Sequence, residues 1–110
     1  MKLESVGEVI ATRTLMLLRD QGAASEVVVL LGKPLQLPGH QDYYCPYQVK
    51  GAGDEKTRHA CGVDPFQALH LTLSALAVEL EVLNKVVGGK LRWDCDDKGG
   101  LGFPDFAAFP

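Results

Sequence analysis

The strongest constraint on this fold is the stretch that opens Asp64-Pro65-Phe66-Gln67 and runs, almost wholly apolar, to Gly88-Gly89. Asp64 stands at an N-cap position, where its carboxylate can accept a hydrogen bond from an amide one turn on. Pro65 follows at the first helical position, where a missing N–H costs nothing and the fixed φ suits the helix. Gln67, three residues after the cap, can reach back to the cap backbone and complete a capping box. The paired glycines then stop the helix, as glycine does just past a C-terminus. These signals predict one helix over about residues 65–87, roughly 33 Å long at 1.5 Å per residue.

Periodicity agrees with the caps. Phe66, Leu69, Leu73, Leu76, Leu80, Leu83 and Val87 recur at spacings of three and four, which sets them on one side of a helix. A second line, Leu71, Ala75, Val78, Val82 and Val86, runs along the other side, and only Glu79, Glu81 and Lys85 carry charge between Gln67 and Gly88. A helix apolar nearly all round needs cover on two faces. One face belongs on a sheet. The other requires the C-terminal tail or a second copy of the chain.

The rest reads as that sheet. Residues 8–19 are rich in Val, Ile, Thr and Leu, the turn signal Asp20-Gln21-Gly22 follows, and Glu26 to Gly32 forms a second strand. Pro34 and Pro38-Gly39 interrupt pairing, so Gln36 to Gln41 is a loop. Tyr43 to Val49 resumes as a strand with Cys45, Tyr47 and Val49 on its core face, and Lys56 to Gly62 pairs back with Thr57, His59 and Cys61 on one face. Leu91-Arg92-Trp93 is a candidate fifth strand. The expected fold is α+β: a four- to five-stranded antiparallel meander with one long helix on one face. One domain spans residues 1–110, with strands over about 8–62, the helix over about 65–87 and a tail over 90–110.

Composition narrows the function classes. The chain has 110 residues and a net charge of −3, with no Lys/Arg stripe to neutralise phosphates, so nucleic acid is not expected as a partner. Its three cysteines, at 45, 61 and 95, are too few and too scattered for a disulfide framework and suit a reducing compartment. Acidic residues stand where a signal peptide needs a basic start, and no 18 apolar residues run uninterrupted, so the expected setting is cytoplasmic with no membrane partner.

Cys45-Pro46-Tyr47-Gln48-Val49, then Gly62-Val63-Asp64-Pro65-Phe66-Gln67-Ala68-Leu69, then Leu101-Gly102-Phe103-Pro104 together resemble a family of short bacterial proteins known only as a domain of unknown function. The resemblance runs from the first strand to Pro104. It implies the same architecture, four antiparallel strands followed by a long helix, and supplies no reaction, cofactor or catalytic residue.

Several groups invite a chemical role. Cys45, His59 and Cys61 on neighbouring strands offer soft ligands suited to zinc, although no C-x-x-C knuckle accompanies them; buried thiols and a packed histidine are the plainer account. Asp94, Asp96, Gly99 and Asp105 fall on calcium-loop positions 1, 3, 6 and 12, but Lys98 takes a ligand position and Pro104 blocks the helix that should follow, which leaves an acidic turn. His70 lies beside Asp64 and Gln67 at helical spacing, but no pocket for an acid/base role is visible, and His40 in its loop has no identifiable partner. No nucleophile elbow exists, and Gly51-Ala52-Gly53 joins two strands rather than cradling phosphate. Tyr47, Trp93 and Phe103 are expected in the core, whereas Tyr43, Tyr44 and Phe106 fit core or surface equally.

The functional expectation is therefore a non-catalytic interaction module, binding a protein partner or itself, without a cofactor. Its interaction surface would comprise Leu71, Val78, Val82, Phe106 and Phe109. The rival is a small ligand-binding protein or enzyme with a site at the sheet–helix seam near His59, Cys61 and Tyr47.

Overall fold

The computed structural model describes residues 3–103, which fold as α+β. Strands β1 (Val9–Leu17), β2 (Ser25–Gly32), β4 (Tyr43–Lys50) and β5 (Arg58–Gly62) pair antiparallel in chain order. Helix α1 (Pro65–Val86) follows, and β6 (Leu91–Arg92) then lies against the free edge of β1. A two-residue strand, β3 (Leu35–Gln36), takes in Gln36, the first residue of the expected loop. It pairs with Tyr43 and Tyr44 beyond the point where β2 leaves β4, so β2 and β3 act as one strand broken at Lys33-Pro34. Proline fixes the break without ending the pairing.

The capping signals of α1 translate directly into hydrogen bonds. Asp64 is extended (φ −147°, ψ 172°) and its Oδ1 accepts from the Gln67 amide at 2.8 Å. Gln67 Oε1 in turn accepts from the Val63 amide at 2.8 Å, one residue upstream of the cap. At the far end Gly88 takes the left-handed conformation (φ 73°), its amide donates to the Lys85 carbonyl and the Gly89 amide to that of Asn84. Those two bonds are a Schellman closure. Asn84 Oδ1 also accepts from the Leu91 amide at 2.9 Å, which ties the helix end to β6.

Leu15, Leu17, Val27, Val29, Leu31, Cys45, Tyr47 and Val49 form the buried face of the sheet, the alternation the strands require. The helix meets it through Ala68, Thr72, Leu76 and Leu80. That row keeps a strict spacing of four and so runs obliquely over the helix, which suits a twisted sheet. The straighter leucine row expected from the sequence is displaced accordingly: Leu76 and Leu80 stay at its centre, Leu69, Leu73, Leu83 and Val87 flank it, and Phe66 at its start is 84% exposed.

The helix sits over β4 and β5. The β1–β2 half of the sheet is covered by Leu91, Trp93, Leu101 and Phe103, all packed on the core. Arg13 pins that cover. Its Nη1 donates to the carbonyls of Leu101 (3.3 Å) and Gly102 (2.9 Å), and its guanidinium carbon lies 4.0 Å from the Trp93 ring centre and 4.9 Å from that of Phe103.

Candidate functional site

The zinc candidates do not converge. In the β4–β5 register Cys45 pairs with Ala60, and His59 pairs with Pro46. Directly opposed residues share a face, so Cys45 points under the helix while His59 and Cys61 point to the open side of the sheet. Spacing within each strand is as read from the sequence; the error lay in the offset between strands, which a tight turn would set but the longer 51–57 connection shifts. Cys45 is fully buried, its Sγ donating to the Gly32 carbonyl at 3.4 Å, and burial pushes its thiol pKa up. His59 packs edge-on to Tyr44, ring centres 6.0 Å apart, and burial lowers its pKa. Among the described residues no three His, Cys, Asp or Glu side chains gather closely enough to hold a metal ion.

For the same reason the seam site loses His59 and Cys61. Tyr47 stays, on the helix side, directly opposite Arg58. Arg58 is the residue the sequence reading missed, and it organises the seam. Its guanidinium donates to both carboxylate oxygens of Asp54 (2.9 and 2.6 Å) and approaches Glu79 Oε1 of the helix at 3.1 Å. The pairing with Arg58, with help from the Lys56 amide, holds the Asp54 carboxyl well below the usual carboxylate range. Burial pushes Glu79 the other way, the nearby Arg58 only partly offsetting it. Burial likewise raises Tyr47, and the Glu79 charge adds to that. Beside this cluster a cleft of about 230 Å³ opens between the 51–57 turn and α1, walled by Val82, Leu83 and Val86. The ion pairs are saturated among themselves. They fix the turn to the helix, and Glu55, whose Oε1 accepts from the Gly51 amide at 3.2 Å, also lines the cleft.

Val82 and Val86 lead from this cleft onto the outer helix face. There Leu71, Val78, Val82 and Val86 are exposed, Val78 by 60% and Val86 by 76%, and Ala75 is half-buried among them. Phe106 and Phe109, the remaining members of the expected interaction surface, lie outside the described residues, as does Asp105 of the acidic turn. Within that turn Asp96 Oδ1 accepts from the Lys98 amide at 2.9 Å, an Asx turn. By length and composition α1 is apolar enough to cross a membrane, yet one of its faces is seated on the sheet.

Tyr47 is 5% exposed, Trp93 and Phe103 pack on the core from its margin, and Tyr43 joins them; Tyr44 is half-buried on the opposite side of the sheet, beside His59.

A family model described as a domain of unknown function (DUF6968) matches residues 11–105. Comparison with curated proteins and with solved structures finds no match.

Proposed function

This chain belongs to the DUF6968 family, and from that premise we propose that it is a small non-catalytic interaction module that self-associates through the outer face of α1. The observation that carries this reading is the exposed row Leu71, Val78, Val82 and Val86, four large aliphatic side chains on one face of a helix whose other face is already buried. Contiguous apolar surface of this kind marks contact sites on soluble domains. A second copy is the natural occupant, because a two-fold pairing of antiparallel helices lays the same row against itself. The row from Leu71 to Val86 is about 22 Å long and about 10 Å wide, roughly 220 Å² per copy, which falls well short of the ~800 Å² per partner of a standard interface. The association is therefore weak and concentration-dependent.

Sedimentation at protein concentrations from about ten to several hundred micromolar tests it, a range that brackets micromolar dissociation constants. The wild type should move toward a dimer across that range, and Val78→Asp and Val82→Asp should both hold it as a monomer without lowering its melting temperature at the dilute end, where wild type is monomeric too. A wild type that stays at 11.9 kDa throughout removes the proposal.

A further inference from the structure

Arg13 has a second property besides pinning the 101–103 segment. Its two ring neighbours flank the guanidinium, and Nη1 is engaged by the carbonyls of Leu101 and Gly102. A guanidinium presents five N–H donors in a planar fork. Among the described residues the Nε–Nη2 edge has no hydrogen-bond partner, and no carboxylate pairs with Arg13, in contrast to Arg58. Among the described residues the cation is thus held rigid and unneutralised. Arg13 also lines a cleft of about 250 Å³ between sheet and helix, whose mostly apolar walls include Ala11, Thr12, Leu31, Leu73, Leu76 and Phe103.

We infer that this cleft binds a small apolar monocarboxylate, with the carboxylate forked on the free edge of Arg13 and the hydrocarbon body against Leu31, Leu73 and Leu76. Three features select that class. A stacked guanidinium matches the planar, bidentate geometry of a carboxylate and loses little side-chain entropy on binding it. A single cation balances one negative charge, so a phosphate dianion is left underpaired. Apolar walls reward a hydrocarbon body and exclude a sugar or a polar acid. Size sets the upper limit: the cleft is smaller than the roughly 300–1,000 Å³ of sites for drug-sized ligands, which points to an acid no larger than a phenyl ring with a short arm. The site lies under the helix, away from the outer face proposed for self-association.

Calorimetric titration of the full chain with phenylacetate and, separately, with phenylacetamide tests the inference. The acid should bind at least tenfold more tightly than the amide, and the preference should shrink as salt is raised. Arg13→Gln should erase the difference between the two. Because that change also removes the pin on the C-terminal segment, Ala11→Leu serves as the second variant: it fills the cleft from an exposed strand position, leaves Arg13 in place, and should abolish binding of both probes. Equal binding of acid and amide by the wild type overturns the inference. So does unchanged affinity in Ala11→Leu, or nuclear Overhauser contact between the Phe106 ring and the Leu73 methyls in the unliganded chain, since the cleft would then be filled from within.

Discussion

Thr72, fully buried in the apolar face of α1, donates its hydroxyl hydrogen to the main-chain carbonyl of Cys45 at 2.8 Å. A side-chain bond from helix to strand fixes both the height of the helix above β4 and its position along it. Thr72→Val keeps the shape and leaves the hydroxyl's partner without that bond. It should lower unfolding stability by about 1–3 kcal/mol, and Thr72→Ser should recover part of the loss because the hydroxyl returns. Denaturant melts of the two variants against wild type measure the difference; a loss in Thr72→Ser with none in Thr72→Val would mean that the methyl group, not the bond, matters.

The N-terminal cap of the same helix makes a smaller, local prediction. Asp64→Ala removes the acceptor for the Gln67 amide and should cost about 1 kcal/mol, whereas Asp64→Ser should retain most of it. Both can be read from equilibrium unfolding, with little change in m-value expected because the surface exposed on unfolding stays the same.

Gly62 closes β5 directly beneath the first turn of α1, and a Cβ there would meet the backbone of Gln67 and Ala68. Its partners are main chain rather than flexible side-chain ends, so the strain has nowhere to relax. Gly62→Ala should destabilise by roughly 1–3 kcal/mol or more. Gly39→Ala is the control for glycine in general: it sits in an open turn at φ 76° with no heavy atom near, so any loss there reports backbone strain alone.

The two carboxylates around Arg58 should respond to pH with opposite signs. Asp54 is held below its ordinary value in the fold, so its contribution is present above the unfolded value of 3.8 and disappears as pH falls below it. Glu79 is raised by burial, so the fold favours its protonated form; stability associated with it is complete below 4.5 and declines as pH rises through its higher folded value. Asp54→Asn should therefore flatten the acid limb of the stability curve, and Glu79→Gln should flatten the decline just above pH 4.5. Urea melts between pH 2 and 7 resolve the two limbs, and a single limb affected by both changes would contradict the opposed assignment.

Legibility followed the range of the interaction. The helix and its caps were readable because Asp64, Pro65, Gln67 and Gly88 act within one turn of themselves, and the core face of β4 because Cys45, Tyr47 and Val49 obey a period of two. Arg58 was not readable. Its meaning depends on the register that sets it opposite Tyr47 and on which turn of a distant helix passes overhead, and neither leaves a local trace. The same register separated Cys45 from His59 and Cys61. Thr72 was overlooked for a different reason: a hydroxyl in a leucine-rich row reads as a flaw in the pattern until its acceptor is known. Arg13 likewise looked like an ordinary strand cation, because Trp93 and Phe103 reach it only after the chain has crossed the helix.

The partnership of Met16 with Arg92 has a consequence for how the molecule comes into being. During synthesis the first strand leaves the ribosome long before the short strand that flanks it, and until then its outer border stands bare beside a growing, strongly aliphatic helix. A nascent intermediate of β1, β2, β4 and β5 is thus a template for stray strands. β6 pairs with that border at Met16 and Leu17 and so shortens the edge left bare. Shortening the chain before Leu91 should be felt first in yield, and only afterwards in any property of the purified protein.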